Sequence, residues 1–293
     1  MGALILASLV WAASFGLIKR TLVGVDPSLV ALLRLAIALP VFAPWLRRAG
    51  LTRTLALALL AIGGVQYGAM YTLYIRAYAH LQGHEIALFT VLTPIYVLLV
   101  DGLWARRLPL RGLGLAALAV LGAALIEDRG EITDAAVGFA LTQAANLCFA
   151  AGQVAYRRLR RQNPQLVDHQ VFALLLAGAV AVAAVSTTGA GGWGDLATIT
   201  GLQWATLLYL GVVATGLGFY LWNRGAVVVS AATLAVFNNL KVPLAVVVAL
   251  FVFGEEADLL RLAIGGGLVL VAGCLAGRDG GRSVSGRRAR EPG

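Results

Sequence analysis

Apolar runs of roughly 17 to 25 residues follow one another along almost the whole chain, each closed by a short basic cluster or a turn signal. Runs so long and so uniformly apolar do not suit membrane barrel strands, whose residues alternate in polarity. In hydrocarbon only a helix satisfies its own backbone. With 60% of the 293 residues hydrophobic and 13% charged, the chain is far from the make-up of soluble domains, about 45–50% apolar and about 25% charged. A soluble enzyme is excluded, and there is no room for a separate soluble domain. Ten spans are expected, at about 3–18, 28–46, 55–78, 84–104, 110–126, 136–156, 167–187, 201–222, 229–253 and 260–277. The first is read as a retained helix rather than a signal peptide, because no basic region precedes it and Lys19-Arg20 follow directly.

The net charge of +9 does not point to nucleic acid, because the basic residues cluster between the runs. With the N-terminus inside, sixteen fall on the inner side: Arg47, Arg48, Arg53, Arg106, Arg107, Arg111, Arg157, Arg158, Arg160, Arg161, Arg224, Arg278, Arg282, Arg287, Arg288 and Arg290. The outer side receives five, Lys19, Arg20, Arg76, Arg129 and Arg261. That asymmetry places both termini in the cytoplasm and requires an even number of spans. Cys148 and Cys274 lie within apolar runs and read as packing residues. The basic tail, 278–293, reads as a disordered segment near anionic lipid.

The two halves carry the same landmarks in the same order. Trp11, Lys19-Arg20 and Pro27-Ser28-Leu29-Val30 answer to Phe149, Arg157-Arg158 and Pro164-Gln165-Leu166-Val167. Spans four and nine each carry one central proline, Pro94 and Pro243; spans five and ten carry Gly114 with Gly122 and Gly265 with Gly273. Five spans per copy is odd, so the second copy enters the membrane inverted. The expected fold is therefore an all-α polytopic membrane protein of ten transmembrane helices in two inverted five-helix repeats, residues 1–130 and 131–277, an arrangement common in secondary transporters.

The five-plus-five order, a tryptophan in span one, the Ala-Thr-Leu-Ala-Val-Phe-Asn-Asn-Leu-Lys-Val-Pro run ending at Pro243, Phe253-Gly254-Glu255-Glu256 and the glycine-spaced last span resemble the drug/metabolite transporter superfamily, EamA-like branch, over residues 3–277. Within it the tyrosine-rich third span looks most like the YddG-type amino-acid exporters. The resemblance implies a multi-pass protein of the bacterial inner membrane that moves small metabolites, often outward, through a cavity lined by spans one, three, four, six, eight and nine. Arg106-Arg107 stand where the first half would repeat the Gly-Glu ending, a departure from an exact repeat.

The sparse polar residues inside the runs nominate the site. Lys241 lies near the centre of span nine, where a cation costs at least about 2.5 kcal/mol and must face a cavity or a partner. Asn238 and Asn239 precede it, and Pro243 frees the Asn239 carbonyl, so the group suits a carboxylate or other anion; a helix cap or a pairing with Asp101 is the structural alternative. Tyr67, Tyr71, Tyr74 and Tyr78 recur at helical spacing, giving a stripe able to stack on an aromatic body or attract an ammonium group, or simply to pack. Gln143, Asn146 and Gln153 share a face of span six. Trp11, Tyr96, Tyr220 and Trp222 are candidates for an aromatic wall, while Arg34, close to the outer end of span two, can reach water by snorkelling and is as much a structural as a functional candidate. His80, His84 and His169 sit near loops, where surface roles are expected.

No phosphate-binding loop, zinc-protease or nucleophile-elbow motif occurs, and no acid lies at the centre of any span. The expectation is a secondary transporter, not an enzyme, with no cofactor or metal. Its partners are a small-molecule substrate, most simply an amino acid, and the lipid bilayer. Lys241, Asn239, Asn238, Tyr71, Tyr74, Tyr78, Trp11, Gln143, Asn146 and Tyr96 would line the site, with Pro94 and Pro243 as hinges. Exchange of organic or phosphorylated anions is the rival transport reading. A membrane enzyme acting on lipid-linked substrates is the rival of another class, resting on Glu127, Asp128, Glu131 and Asp134.

Overall fold

The computed structural model describes residues 2–47, 51–106, 132–228, 245–256 and 258–268, with Gly114, Leu118, Leu121, Leu270, Val271 and Leu275. Among the described residues seven helices are long and apolar enough to cross a membrane, and no strand occurs. They are α1 (Gly2–Thr21), α2 (Pro27–Trp45, ending in a 3₁₀ turn), α3 (Arg53–Ala77), α4 (Gly83–Trp104), α5 (Ile132–Gln162), α6 (Asp168–Ala190) and α7 (Gly201–Val228). A shorter apolar helix, α8, covers Leu259–Leu268. These match expected spans one to four and six to eight and the start of span ten. Span five and most of span nine lie outside the described residues.

Local chemistry sets the helix starts. Asp26 accepts the Leu29 N–H at 2.9 Å with Pro27 in the first turn, and Thr52 accepts from Leu55 at 3.2 Å. Thr200 and Gln203 form a capping box that opens α7. Helix α5 extends to Gln162, past the expected end near residue 156, because its arginines find partners beyond the apolar run. Arg158 meets Asp101 of α4 at 2.6 Å and Arg160 meets Asp168 of α6 at 2.9 Å. Asp101 is therefore committed to α5.

Helix α6 packs against α2 and α3, α5 against α3 and α4, and α1 against α7. Lipid tails offer little hydrophobic drive, so such contacts depend on close approach of small residues. The α3–α6 crossing shows this reciprocally. A Cβ added to Gly63 would sit 1.9 Å from the Leu175 carbonyl oxygen, and one added to Gly178 would sit 1.9 Å from that of Leu60. Leu57, Val185 and Phe251 point away from the bundle and stand exposed on the isolated chain, as lipid-facing side chains would.

Two helices are interrupted by wide π turns, Gly64–Ala69 in α3 and Tyr209–Leu217 in α7. Helix α4 is interrupted by a 3₁₀ turn, Thr90–Leu92, just before Pro94. These breaks free backbone carbonyls inside the bundle.

Gly178→Ala is expected to lower the melting temperature of the detergent-solubilised protein, by about 1–3 kcal/mol of stability, since backbone must move to admit the methyl. Gly194→Ala, which meets nothing within 4 Å, is the control. Equal melting of the two variants contradicts the α3–α6 contact.

Candidate functional site

A cavity of about 80 Å³ lies between α1, α2, α3, α4, α5 and α7, with Thr90 and Thr93 at the break in α4 in its wall. Its wall is mainly aromatic, with Trp11 and Phe15 from α1, Tyr71 and Tyr74 from α3, Phe149 from α5 and Phe219 from α7. Trp11 lies 4.9 Å from Phe219 and 5.2 Å from Trp222 between ring centroids, and Phe15 meets Tyr74 edge-on at 6.1 Å. The Trp11 indole N–H donates at 2.8 Å to the Ala214 carbonyl within the π turn of α7.

Asn146 plays the matching part beside α4. Pro94 has no N–H, and the Thr93 N–H turns to the Thr90 carbonyl, which leaves the Phe89 carbonyl without its usual helical donor. The Asn146 amide donates to that carbonyl at 3.0 Å and to the Gln143 side-chain carbonyl at 3.1 Å, while its oxygen accepts from Thr93 at 3.2 Å. Both amide protons are thereby committed.

One charged side chain enters this wall. Arg34 of α2 is 2% exposed and lines the cavity. Its Nη2 donates to the Tyr71 hydroxyl at 2.8 Å, its Nε to Thr215 of α7 at 3.3 Å, and its guanidinium lies 4.3 Å from the Tyr71 ring centroid. The Tyr71 and Thr215 hydroxyls are 3.1 Å apart and complete a three-helix brace. Nη1 is buried without a hydrogen-bond partner among the described residues. A second polar cluster lies one turn along α3, where the Gln66 amide donates to the Asn223 carbonyl at 3.2 Å. Gln66 Oε1, Asn223 Nδ2 and the Tyr67 hydroxyl remain without partners there among the described residues.

Of the residues nominated by sequence, Trp11, Tyr71, Tyr74 and Asn146 line the cavity. Gln143 sits behind it, holding Asn146. Tyr78 lies one turn beyond, with its hydroxyl 2.7 Å from that of Tyr74. Tyr96, one turn along α4 from Thr93, is partly buried in packing and is not in the lining. Tyr220 packs on Phe42 and Phe172, away from the cavity. Lys241, Asn239, Asn238 and Pro243 lie outside the described residues. Arg34 was open to a structural reading by sequence; the brace and the burial put it in the wall, and its place within an apolar span was the available signal.

The end of the bundle opposite Arg158 is tied shut one turn from Phe15. Lys19 donates to the Tyr78 and Leu81 carbonyls, each at 2.8 Å, and Arg20 to that of Phe253 at 2.9 Å. His84 corrects the expectation of a surface role: its side chain is 2% exposed, because its ring meets Glu255 at 2.7 Å. Glu255 also accepts the backbone N–H groups of Gly83 and His84 at 3.2 and 2.9 Å. Burial alone would raise the Glu255 carboxyl, but the hydrogen bonds from the His84 ring and backbone, the attraction of His84 and the Gly83 N–H hold it below its ordinary value of 4.5. His80 pairs with Asp134 at the same end.

The sequence profile of the EamA-like transporter family matches residues 1–127 and again residues 136–277. The chain belongs to this family of the drug/metabolite transporter superfamily. As an EamA-like protein it is a small-molecule transporter, and its spans and bacterial relatives make it a multi-pass inner-membrane protein. It is 40% identical to a Pseudomonas aeruginosa protein named "Probable biotin transporter", over 97% of this chain and 99% of that one. An Escherichia coli K12 protein named "Biotin transporter" is 38% identical over 87% of this chain and 86% of its own length. A P. aeruginosa protein named as a pseudopaline exporter is 26% identical over 93% of each. A solved crystal structure superposes with a TM-score of 0.60 over 96% of both chains at 21% identity, a likeness of fold. The names of these relatives refer to biotin or pseudopaline and do not support the expected amino-acid substrate.

A depressed carboxylate contributes stability above its unfolded value and loses it as pH falls. Melting of the wild type is therefore expected to drop as pH is lowered from 7 through and below 4.5, and Glu255→Gln to flatten that drop. An unchanged pH profile in the variant removes Glu255 from the closure.

Proposed function

We propose that this protein is a secondary transporter of biotin. The near-full-length similarity to proteins named as biotin transporters carries the reading, and the chemistry of the cavity supports it. Biotin joins a bicyclic ring, apolar on one side and bearing a cyclic urea on the other, to a short chain ending in a carboxylate. Trp11, Phe149 and Phe219 offer flat apolar surface for the rings. Gln66 Oε1 and Asn223 Nδ2, an acceptor and a donor left unpaired nearby, complement the N–H and carbonyl groups of a urea.

The cavity of about 80 Å³ has space for several waters, but pockets that enclose drug-sized ligands run to roughly 300–1,000 Å³. Transport therefore requires the bundle to widen around the substrate. Two inverted five-helix repeats, 1–130 and 131–277, would rock about the cavity, with Pro94, Pro243 and the π turns of α3 and α7 as hinges. The excess of basic residues on the side of Arg47, Arg106 and Arg157 supports a cytoplasmic position for that side and for both termini. Lys241, Asn238 and Asn239 of span nine would complete the wall. Alternating access of this kind is reversible, so the gradients across the membrane set the direction of net flux.

Liposomes carrying the purified protein are expected to take up radiolabelled biotin above empty liposomes, with unlabelled biotin competing and tryptophan not competing. Flux of aromatic amino acids without flux of biotin would overturn the assignment in favour of an amino-acid transporter.

A further inference from the structure

Among the described residues no acid pairs with the Arg34 guanidinium. Its contacts among the described residues are the Tyr71 hydroxyl, the Thr215 hydroxyl and the Tyr71 ring, all of them neutral. Hydroxyl dipoles and a ring quadrupole offset part of the desolvation of a buried guanidinium, but a full compensating charge has to be an anion. The sequence supplies none at that depth. All fourteen acidic residues lie at or beyond the ends of the apolar runs. Of those at the same end of the bundle as Arg34, Asp26 is engaged with the Leu29 N–H, Glu85 with the Gln82 N–H, Asp195 with the Asp26 N–H and Glu255 with His84, as are Asp101 and Asp168 at the other end with Arg158 and Arg160. The segment 229–244, outside the described residues, contains neither Asp nor Glu. Nη1, with two N–H bonds to give, is buried, unpartnered among the described residues and set in the wall of the cavity.

We propose that Arg34 is the carboxylate anchor of the transport site, its free Nη1 taking a carboxylate oxygen of the substrate while Tyr71 and Thr215 hold the guanidinium in position. This rests on the transport reading above and deepens it. The substrate class becomes carboxylates with a flat or cyclic body, recognised as the anion, and a neutral amide of the same shape is discriminated against. Tyr71 and Thr215 are positioning residues in this arrangement. Their hydroxyls fix the plane of the guanidinium and spare it a search through rotamers.

The test compares biotin with biotinamide, which differ in charge at one end alone. In wild-type proteoliposomes biotinamide is expected to compete for biotin uptake at least tenfold more weakly than biotin itself, about 1.4 kcal/mol. Arg34→Gln is expected to reduce the apparent affinity for biotin to that for biotinamide while leaving the latter unchanged. Equal competition by acid and amide in the wild type overturns the proposal. So does an equal loss for both ligands in Arg34→Gln, which would make Arg34 a brace alone. Should Arg34→Gln fail to fold, the wild-type comparison stands, together with Arg34→Lys, which keeps the charge and is expected to keep a preference for the acid. A wild type without biotin flux removes the biotin assignment and leaves the anchor to be judged by thermal stabilisation with benzoate against benzamide. Selective stabilisation by the acid then supports Arg34, and none overturns it.

Discussion

A guanidinium buried at the depth of the apolar spans, with no acid among the described residues to meet it, is the constraint around which the centre of this bundle is arranged. Arg34 draws Tyr71 of α3 and Thr215 of α7 onto itself and so ties three helices together through hydroxyls. The same deficit of negative charge gives the cavity its chemistry, since an empty site holds an unmatched cation and a site filled by a carboxylate does not. In the proposed alternating access, binding energy of that kind would shift the bundle from one opening to the other.

The wall that frames the charge depends on interrupted helices. Pro94 and the 3₁₀ turn before it release the Phe89 carbonyl, and Asn146 takes it. The π turn of α7 holds the Ala214 carbonyl that Trp11 caps. Each capping side chain also lines the cavity, so the groups that repair the helices are the groups a substrate would touch. A membrane interior tolerates irregular backbone where it is buried in protein or lines a cavity, and both breaks meet that condition.

The helices were legible because the thickness of the bilayer sets the length of an apolar run, and the described spans fall within about three residues of their expected ends, except that α5 and α7 each run on about six residues further, to Gln162 and Val228. Helix α5 overran because Arg158 and Arg160 find acids on α4 and α6, which one-dimensional hydropathy does not register. The tyrosine stripe was legible in part. Tyr71 and Tyr74 reach the cavity, whereas Tyr67, inside the π turn, packs on Phe219 and Phe172. A π turn changes the residue-to-angle relation, so a stripe drawn at constant helical spacing does not remain on one face. Arg34 was harder to place because its position in α2 would have allowed it to reach water; the packing of α3, α6 and α7 decides otherwise. His84 was misplaced at the surface because its partner, Glu255, is 171 residues away in sequence.

The account turns on what neutralises Arg34, and a structure of the full-length protein determined with biotin bound tests that directly. It is expected to show the biotin carboxylate within hydrogen-bonding distance of Arg34 Nη1, about 2.7–2.9 Å, with the rings against Trp11 and Phe219. A carboxylate directed away from Arg34, or a bound molecule outside this cavity, would contradict the account.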